Sequence, residues 1–360
     1  MIDWTDAVSK KRANKGVADD FSRGKIDRRV SVAPMMDWTD RHCRFFLRGF
    51  SPDVLLYTEM ITAAAILRGD RARLLRFDPE EHPLALQLGG SEPRELAAAA
   101  RAGEEAGYDE INLNCGCPSE RVASGAFGAC LMREPARVAD CVAAMCAAVR
   151  VPVTVKMRIG VVNAGTRDAR GAVAQYTAAD FEALCGFVQG VRAAGCQAAI
   201  VHARQAVLGG LSPRDNRAVP PLRYDVVRDL KRRFVSLPVV VNGGLRDADS
   251  VRAALAWCDG VMLGREAYHR PFVLAELQRG LAAQPAALPT RAALIERMAR
   301  YCERELAAGE RLSAVTRHML GLYSGEPGAR DFRRTLSEGA RAAGAGAELL
   351  RRAIPTAARA

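Results

Sequence analysis

Between Arg29 and Pro271 the chain writes one unit eight times, a short apolar run followed by an Ala- and Arg-rich stretch. The apolar runs are residues 30–33, 55–59, 84–88, 110–114, 153–157, 198–202, 239–242 and 260–263. Helical periodicity fills the spaces between them, as at 93–106, 135–149, 181–194 and 248–257. Short apolar runs separated by helices read as parallel strands in βαβ units. Eight such units in about 240 residues predict the α/β class, a closed (β/α)8 TIM barrel. An open doubly wound sheet is the alternative. Its dinucleotide fingerprint is absent after the first strand, where Ala33-Pro34-Met35-Met36 stands instead.

After Pro271 the strand signals stop. From Thr290 onward the chain is helical, punctuated by glycines at 325, 328, 344 and 346. The domain reading is therefore a loose basic N-terminal tail at 1–28, a barrel at 29–285 and a small C-terminal helical domain at 286–360. One segment, 161–179, is Gly- and Ala-rich with little periodicity and follows the fifth strand. A connection that long is a lid or a disordered loop.

Composition narrows the partners. The formal net charge is +11, which suits a polyanion. The chain uses 46 Arg and only six Lys, so part of that charge reflects a preference for Arg. Against that background Lys156, inside the apolar run Val153-Thr154-Val155-Lys156-Met157, marks a place where a compact charge is wanted. The helical domain carries 13 Arg against eight acidic residues from Thr290 onward. Its excess positive charge makes it a basic domain suited to a polyanion, or is an ordinary solvated face. The ten cysteines are scattered without CxxC pairs, so neither a zinc site nor a disulfide framework is expected. No apolar run approaches the roughly 20 residues of a membrane span, and the first 29 residues have no signal-like apolar core. The expectation is a cytoplasmic protein with reduced thiols and no metal.

In a barrel, chemistry sits at the C-terminal ends of the strands. Those ends carry Pro34-Met35-Met36, Gln87, Asn114 leading to Cys117, Lys156 with Arg158, His202, Asn242-Gly243-Gly244 and Gly264-Arg265. Glycine turns after the last two strands let backbone N–H groups approach a phosphate, and Arg265 adds a bidentate contact. A phosphate there, with Lys156 and His202 nearer the centre, suits flavin mononucleotide (FMN). Gln87 can pair with the pyrimidine edge of the ring, and Met35 and Met36 can pack along it.

The strand Ile111-Asn112-Leu113-Asn114 runs into Cys115-Gly116-Cys117-Pro118-Ser119, so two thiols compete. Cys115 continues the strand. Cys117 lies beyond Gly116 and is held extended by Pro118, which favours it as the exposed thiol. A free thiol with pKa near ~8.5 is mostly protonated at neutral pH and can be a general acid. With a lowered pKa it would be a nucleophile.

Taken together these motifs resemble the tRNA-dihydrouridine synthases, most closely their A subfamily. The resemblance runs from about Val30 to Ala343. It is carried by Val32-Ala33-Pro34-Met35-Met36-Asp37-Trp38-Thr39-Asp40, Gln87-Leu88-Gly89-Gly90, 111–119, Val155-Lys156-Met157-Arg158-Ile159-Gly160 and Val201-His202-Ala203-Arg204. Gly210-Leu211-Ser212-Pro213, Val241-Asn242-Gly243-Gly244, 259–268 and Arg317-His318-Met319-Leu320-Gly321-Leu322 extend it. The resemblance implies an FMN-bound TIM barrel, a helical tRNA-binding domain and NADPH as the reductant of the flavin. It implies hydride delivery from flavin N5 to uracil C6 and protonation of C5 by a cysteine, on D-loop uridines 20 and 20a.

By motif position, Pro34, Met35, Met36, Gln87, Lys156, His202, Asn242, Gly243, Gly244, Gly264 and Arg265 would contact FMN. Cys117 would be the proton donor and Asn114 a contact to the target uridine. Arg214 and Arg217 of Arg214-Asp215-Asn216-Arg217, with Arg330 and Arg333, resemble the subfamily's tRNA contacts. The expected protein is a monomer. A flavin barrel acting on a small pyrimidine or enone is the alternative, and it has no need of the basic helical domain. Two features depart from the pattern: the extra thiol Cys115 and the length of 161–179.

Overall fold

Strict alternation along each strand sorts its side chains into two separate cores. In the computed structural model, which describes residues 26–119, 127–163, 176–281 and 287–356, ten strands form. They are β1 (Val30–Val32), β2 (Leu56–Thr62), β3 (Leu84–Gly89), β4 (Glu110–Cys115) and β5 (Val153–Arg158). They continue with β6 (Val161–Asn163), β7 (Ala199–His202), β8 (Ala206–Leu208), β9 (Val239–Asn242) and β10 (Gly260–Leu263). Eight make one all-parallel sheet in the order β1-β10-β9-β7-β5-β4-β3-β2. A parallel bridge between Ser31 and Leu55 joins its two ends. Val32 N–H donates to Leu55 O at 3.0 Å and Leu55 N–H to Val30 O at 3.2 Å. The sheet is thereby the expected (β/α)8 barrel.

Outward residues such as Leu86, Ile111, Leu113, Val155, Val201, Val241 and Leu263 pack in one large core under the surrounding helices. Inward residues Ala33, Leu55, Tyr57, Ala85, Ile200, Val240 and Met262 form a second, smaller one inside the barrel. Toward the C-terminal ends the inward positions turn polar, giving Gln87, Asn114, Lys156, Arg158, His202 and Asn242. The strand pattern therefore encodes a polar mouth above a floor that is apolar on β2, β3, β7, β9 and β10.

Two features go beyond the sequence reading. On one side of Gln87 the neighbouring strand is bulged: β2 runs on to Thr62 with a register shift between Tyr57 and Met60. A short parallel ribbon also pairs β6 with β8 just past the ends of β5 and β7. It accounts for the start of the 161–179 segment. Residues 164–175, where the lid-or-loop question lies, fall outside the described residues. So do residues 1–25 of the expected tail and 282–286 around the expected domain boundary.

Beyond the barrel, helices Arg291–Ala307, Leu312–Thr316, Ala329–Gly339 and Glu348–Arg352 follow, the first capped by Thr290. They dock on the barrel's first helix, Arg41–Arg48. Tyr301 stacks on Phe45 with ring centroids 4.0 Å apart, and Arg41 pairs with Glu305 and Glu310. Arg304 and Arg297 reach Asp78 and Glu80. Three of the arginines counted in this region, Arg297, Arg304 and Arg317, therefore serve to fasten it.

Candidate active site

Gly116 and Pro118 end β4 at the barrel mouth, and the turn that follows is tied down by one side chain. Asn114 Oδ1 accepts from the N–H groups of Gly116 and Cys117, each at 3.0 Å. This is the local Asx closure that a polar residue at a strand end offers. Cys117 O accepts from Ala129 N–H at 2.9 Å, and Arg158 Nε donates to Gly116 O at 3.2 Å. The turn leaves Cys117 partly accessible. Cys115 is fully buried among the outward residues of β4, and burial pushes its thiol well above the usual range. The odd-even alternation that sends Asn112 and Asn114 inward sends Cys115 outward. The second thiol is core packing.

Across the mouth lies a set of cations. Lys156 Nζ donates to Asn242 Oδ1 at 3.1 Å. Asn242 Nδ2 donates to Met262 O at 2.7 Å, which fixes its carbonyl toward the lysine. Burial, and then the charge of Arg158, lower the Lys156 ammonium to about 7. Burial brings Arg158 down to about 9. It also holds His202 well below its usual value, with Arg158 and Lys156 adding to the shift, so the imidazole is neutral. Among the described residues, no ion pair joins Lys156, Arg158, Arg204, Arg217 or Arg265 to a carboxylate. Arg204 donates to Ala218 O at 3.3 Å and to Pro220 O, yet its Nε is buried with no partner among the described residues.

The turn after β9 demands glycine. Gly243 has φ +109°, and a Cβ there would lie 2.6 Å from His202 Cδ2. Gly244 has φ +75°, and its Cβ would lie 2.4 Å from Leu222 Cδ1. Gly264 is different, with open space where a Cβ would point, ahead of helix Arg265–His269. Arg265 is exposed, and its Nη2 reaches Arg217 O at 3.5 Å.

On the opposite rim, Pro34 and Met35 are partly buried and Met36 is 55% exposed. Asp37 follows at φ 64°, the one non-glycine with positive φ among the described residues. Its N–H donates to the Glu59 carboxylate. An unpaired cationic mouth, glycines that bare their backbone and an orphaned guanidinium N–H fit a phosphorylated, anionic cofactor.

Arg214 and Arg217 are exposed on the turn at Asp215–Arg217, beside Arg265. Arg330 and Arg333 are exposed on helix Ala329–Gly339. Arg158, Arg204, Asn112 and Thr154 were not among the residues assigned a role from sequence. The readable signal for them was a polar residue at every second position of an apolar strand.

The chain matches the dihydrouridine synthase (Dus) family over residues 31–359. It is 54% identical to a tRNA-dihydrouridine(20/20a) synthase of Xanthomonas campestris, over 90% of this chain and 92% of the relative. It is 55% identical to one of Pseudomonas aeruginosa, over 87% and 90%. A third, from Synechocystis, is 52% identical over 90% and 93%. Among solved structures, a 2-naphthoyl-CoA reductase in complex with 2-naphthoyl-CoA superposes with TM-score 0.52 at 10% identity. The match covers 72% of this chain and only 52% of that one, and it speaks to the barrel fold alone.

Proposed function

The chain belongs to the dihydrouridine synthase family, and on that premise we propose that it reduces the C5=C6 bond of uridines 20 and 20a in the D-loop of tRNA. The observation that carries this reading is the accessible Cys117 thiol facing a barrel mouth full of unpaired cations.

In this proposal Gly243, Gly244, Gly264 and Arg265 hold the phosphate of FMN. Lys156, His202, Asn242 and Gln87 border its ring, with Pro34, Met35 and Met36 along the apolar side. The bound flavin would supply hydride chemistry at uracil C6, with NADPH as its reductant. The chain's own residues do the rest. Hydride at C6 leaves enolate charge on the uracil, and Cys117 gives its S–H proton to C5. The C5–H bond forms as the S–H bond breaks, and solvent reprotonates the thiolate. Asn114 orients the base. Lys156, as an ammonium, offsets negative charge at the flavin pyrimidine edge. His202 stays neutral and donates or accepts without adding charge.

The target base must leave its stack to reach a barrel interior. Arg214 and Arg217 on the rim and Arg330 and Arg333 on the 286–360 helical domain would hold the folded RNA through its phosphates. The protein would act as a cytoplasmic monomer. Among the described residues no helix is long and apolar enough to cross a membrane.

Mass-spectrometric mapping of dihydrouridine in tRNA from cells lacking the gene tests the proposal. Positions 20 and 20a should revert to uridine and be restored by the wild-type gene but not by Cys117→Ala. Unchanged dihydrouridine at both positions would refute it.

A further inference from the structure

Val, Ile and Leu usually fill the inside of a barrel of this kind. From the mouth downward, β3, β4 and β5 instead turn five polar residues inward, Gln87, Asn114, Asn112, Thr154 and Glu110, all buried. They form one unbroken row of hydrogen bonds. Gly116 and Cys117 donate to Asn114 Oδ1. Asn114 Nδ2 donates to Gln87 Oε1 at 2.8 Å, and Gln87 Nε2 to Asn112 Oδ1 at 2.8 Å. Asn112 Nδ2 donates to Thr154 Oγ1 at 2.9 Å, and Thr154 Oγ1 to Glu110 Oε1 at 2.5 Å. Glu110 also accepts from the Tyr57 hydroxyl at 2.7 Å and from Arg28 Nε at 3.0 Å.

This row has a direction. A primary amide fits a slot in two orientations that exchange donor and acceptor. A carboxylate only accepts, so Thr154 donates to Glu110, and its oxygen is left to accept from Asn112. Each amide above is set in turn. Flipping one places N–H against N–H. Flipping all of them turns the Asn114 amino group onto the two N–H groups of the Cys117 turn. Burying five such groups costs free energy that an apolar filling would avoid, and the row ends on the turn that carries the thiol.

We propose that Glu110, Thr154 and Asn112 are positioning residues for uridine reduction: through Gln87 they orient the Asn114 amide, and so hold the Cys117 turn in its working geometry. The proposal rests on the reading of Cys117 as the proton donor. It makes the far, N-terminal end of the barrel part of the apparatus that aims the thiol.

Thr154→Val keeps the side-chain shape and deletes the hydroxyl, while Thr154→Ser keeps the hydroxyl. The full-length, FMN-loaded protein is followed by flavin absorbance in anaerobic stopped flow. Bleaching by NADPH and recolouring by an unmodified tRNA transcript are read separately. Thr154→Val should slow bleaching, felt through Gln87 at the flavin edge, much less than it slows recolouring. It should recolour about tenfold more slowly at saturating tRNA, the order expected for one lost hydrogen bond felt in the transition state, with half-saturation unchanged. Alkylation of Cys117 by iodoacetamide in the flavin-free chain, resolved by peptide mass spectrometry, should change about threefold or more, as expected for a thiol whose surroundings have moved. Thr154→Ser should recover both.

Wild-type recolouring and alkylation in Thr154→Val would overturn the proposal. So would equal slowing of both half-reactions, which would make the row a general support of the barrel. Glu110→Gln, which replaces the acceptor-only end by an amide, is scored in the same way if Thr154→Val does not fold. Cys117→Ala separates the two readings. If it recolours normally, the proton-donor reading fails. If it is inactive while Thr154→Val is normal, the positioning role alone fails.

Discussion

Lys156 offers a quantitative test of the cofactor site. In the flavin-free chain burial and Arg158 lower its ammonium from 10.5 to about 7. An anionic flavin beside it would restore the charged form and raise that value again. Between the two values the loaded protein holds a proton that the free protein has released, so binding takes one up. Affinity for FMN should then fall as pH rises, by up to about tenfold per unit above pH 7, and be flat below it. The window should stop short of the about 9 to which Arg158 is lowered. From pH 7.0, where half the free lysine is already deprotonated, to pH 8.5 the expected weakening is up to about sixteenfold.

Lys156→Gln keeps most of the volume and removes the titration. Its affinity at pH 7 should be about ten- to a hundredfold weaker, the range of a lost charge-assisted hydrogen bond, and its pH profile flat. Flavin fluorescence quenching on titrating the flavin-free chain measures both. A wild-type affinity independent of pH across this window, or an undiminished slope in Lys156→Gln, would refute the reasoning. The same shift has a consequence without cofactor. The unfolded chain binds this proton between pH 7 and 10.5 and the folded chain does not, so this group's contribution to stability rises with pH there.

Other substitutions probe other parts of the site. Cys117→Ala should keep bound flavin and lose most tRNA reduction, whereas Cys115→Ala should keep turnover and cost about 1 kcal/mol in urea unfolding, as a small buried side chain does; exchanged results would reverse the assignment. Gly244→Ala forces an alanine to φ +75° and its Cβ to 2.4 Å from Leu222, so a loss of roughly 2 kcal/mol or more is expected, with weaker flavin binding. A urea midpoint within experimental error of wild type would contradict it. Replacing Arg330 and Arg333 together by Ala should weaken tRNA binding for all sequences and lower the log–log salt slope by about one to two, with FMN affinity unchanged. An unaltered slope would remove both residues from the RNA surface.

Read as a line, the chain determines the barrel, because eight apolar runs and the helices between them leave few other ways to bury both faces of a parallel sheet. It also determines which residues lie at strand ends, and hence most of the candidate site. Predicted strand limits differ from the observed ones by a residue or so, except at β2, where a bulge carries the strand to Thr62. A register shift depends on the neighbouring strand and has no local signature.

The two thiols show where sequence stops. Cys115 and Cys117 are chemically alike and two residues apart. Gly116 and Pro118 suggest that the chain turns between them, but only packing decides that one thiol enters the outer core while the other stays at the mouth. The row from Glu110 to Asn114 is further beyond reach, since its members come from β3, β4 and β5 and meet only through strand register. Whether a buried amide is a defect or a link depends on which partner register sets opposite it, and that is a property of the closed barrel.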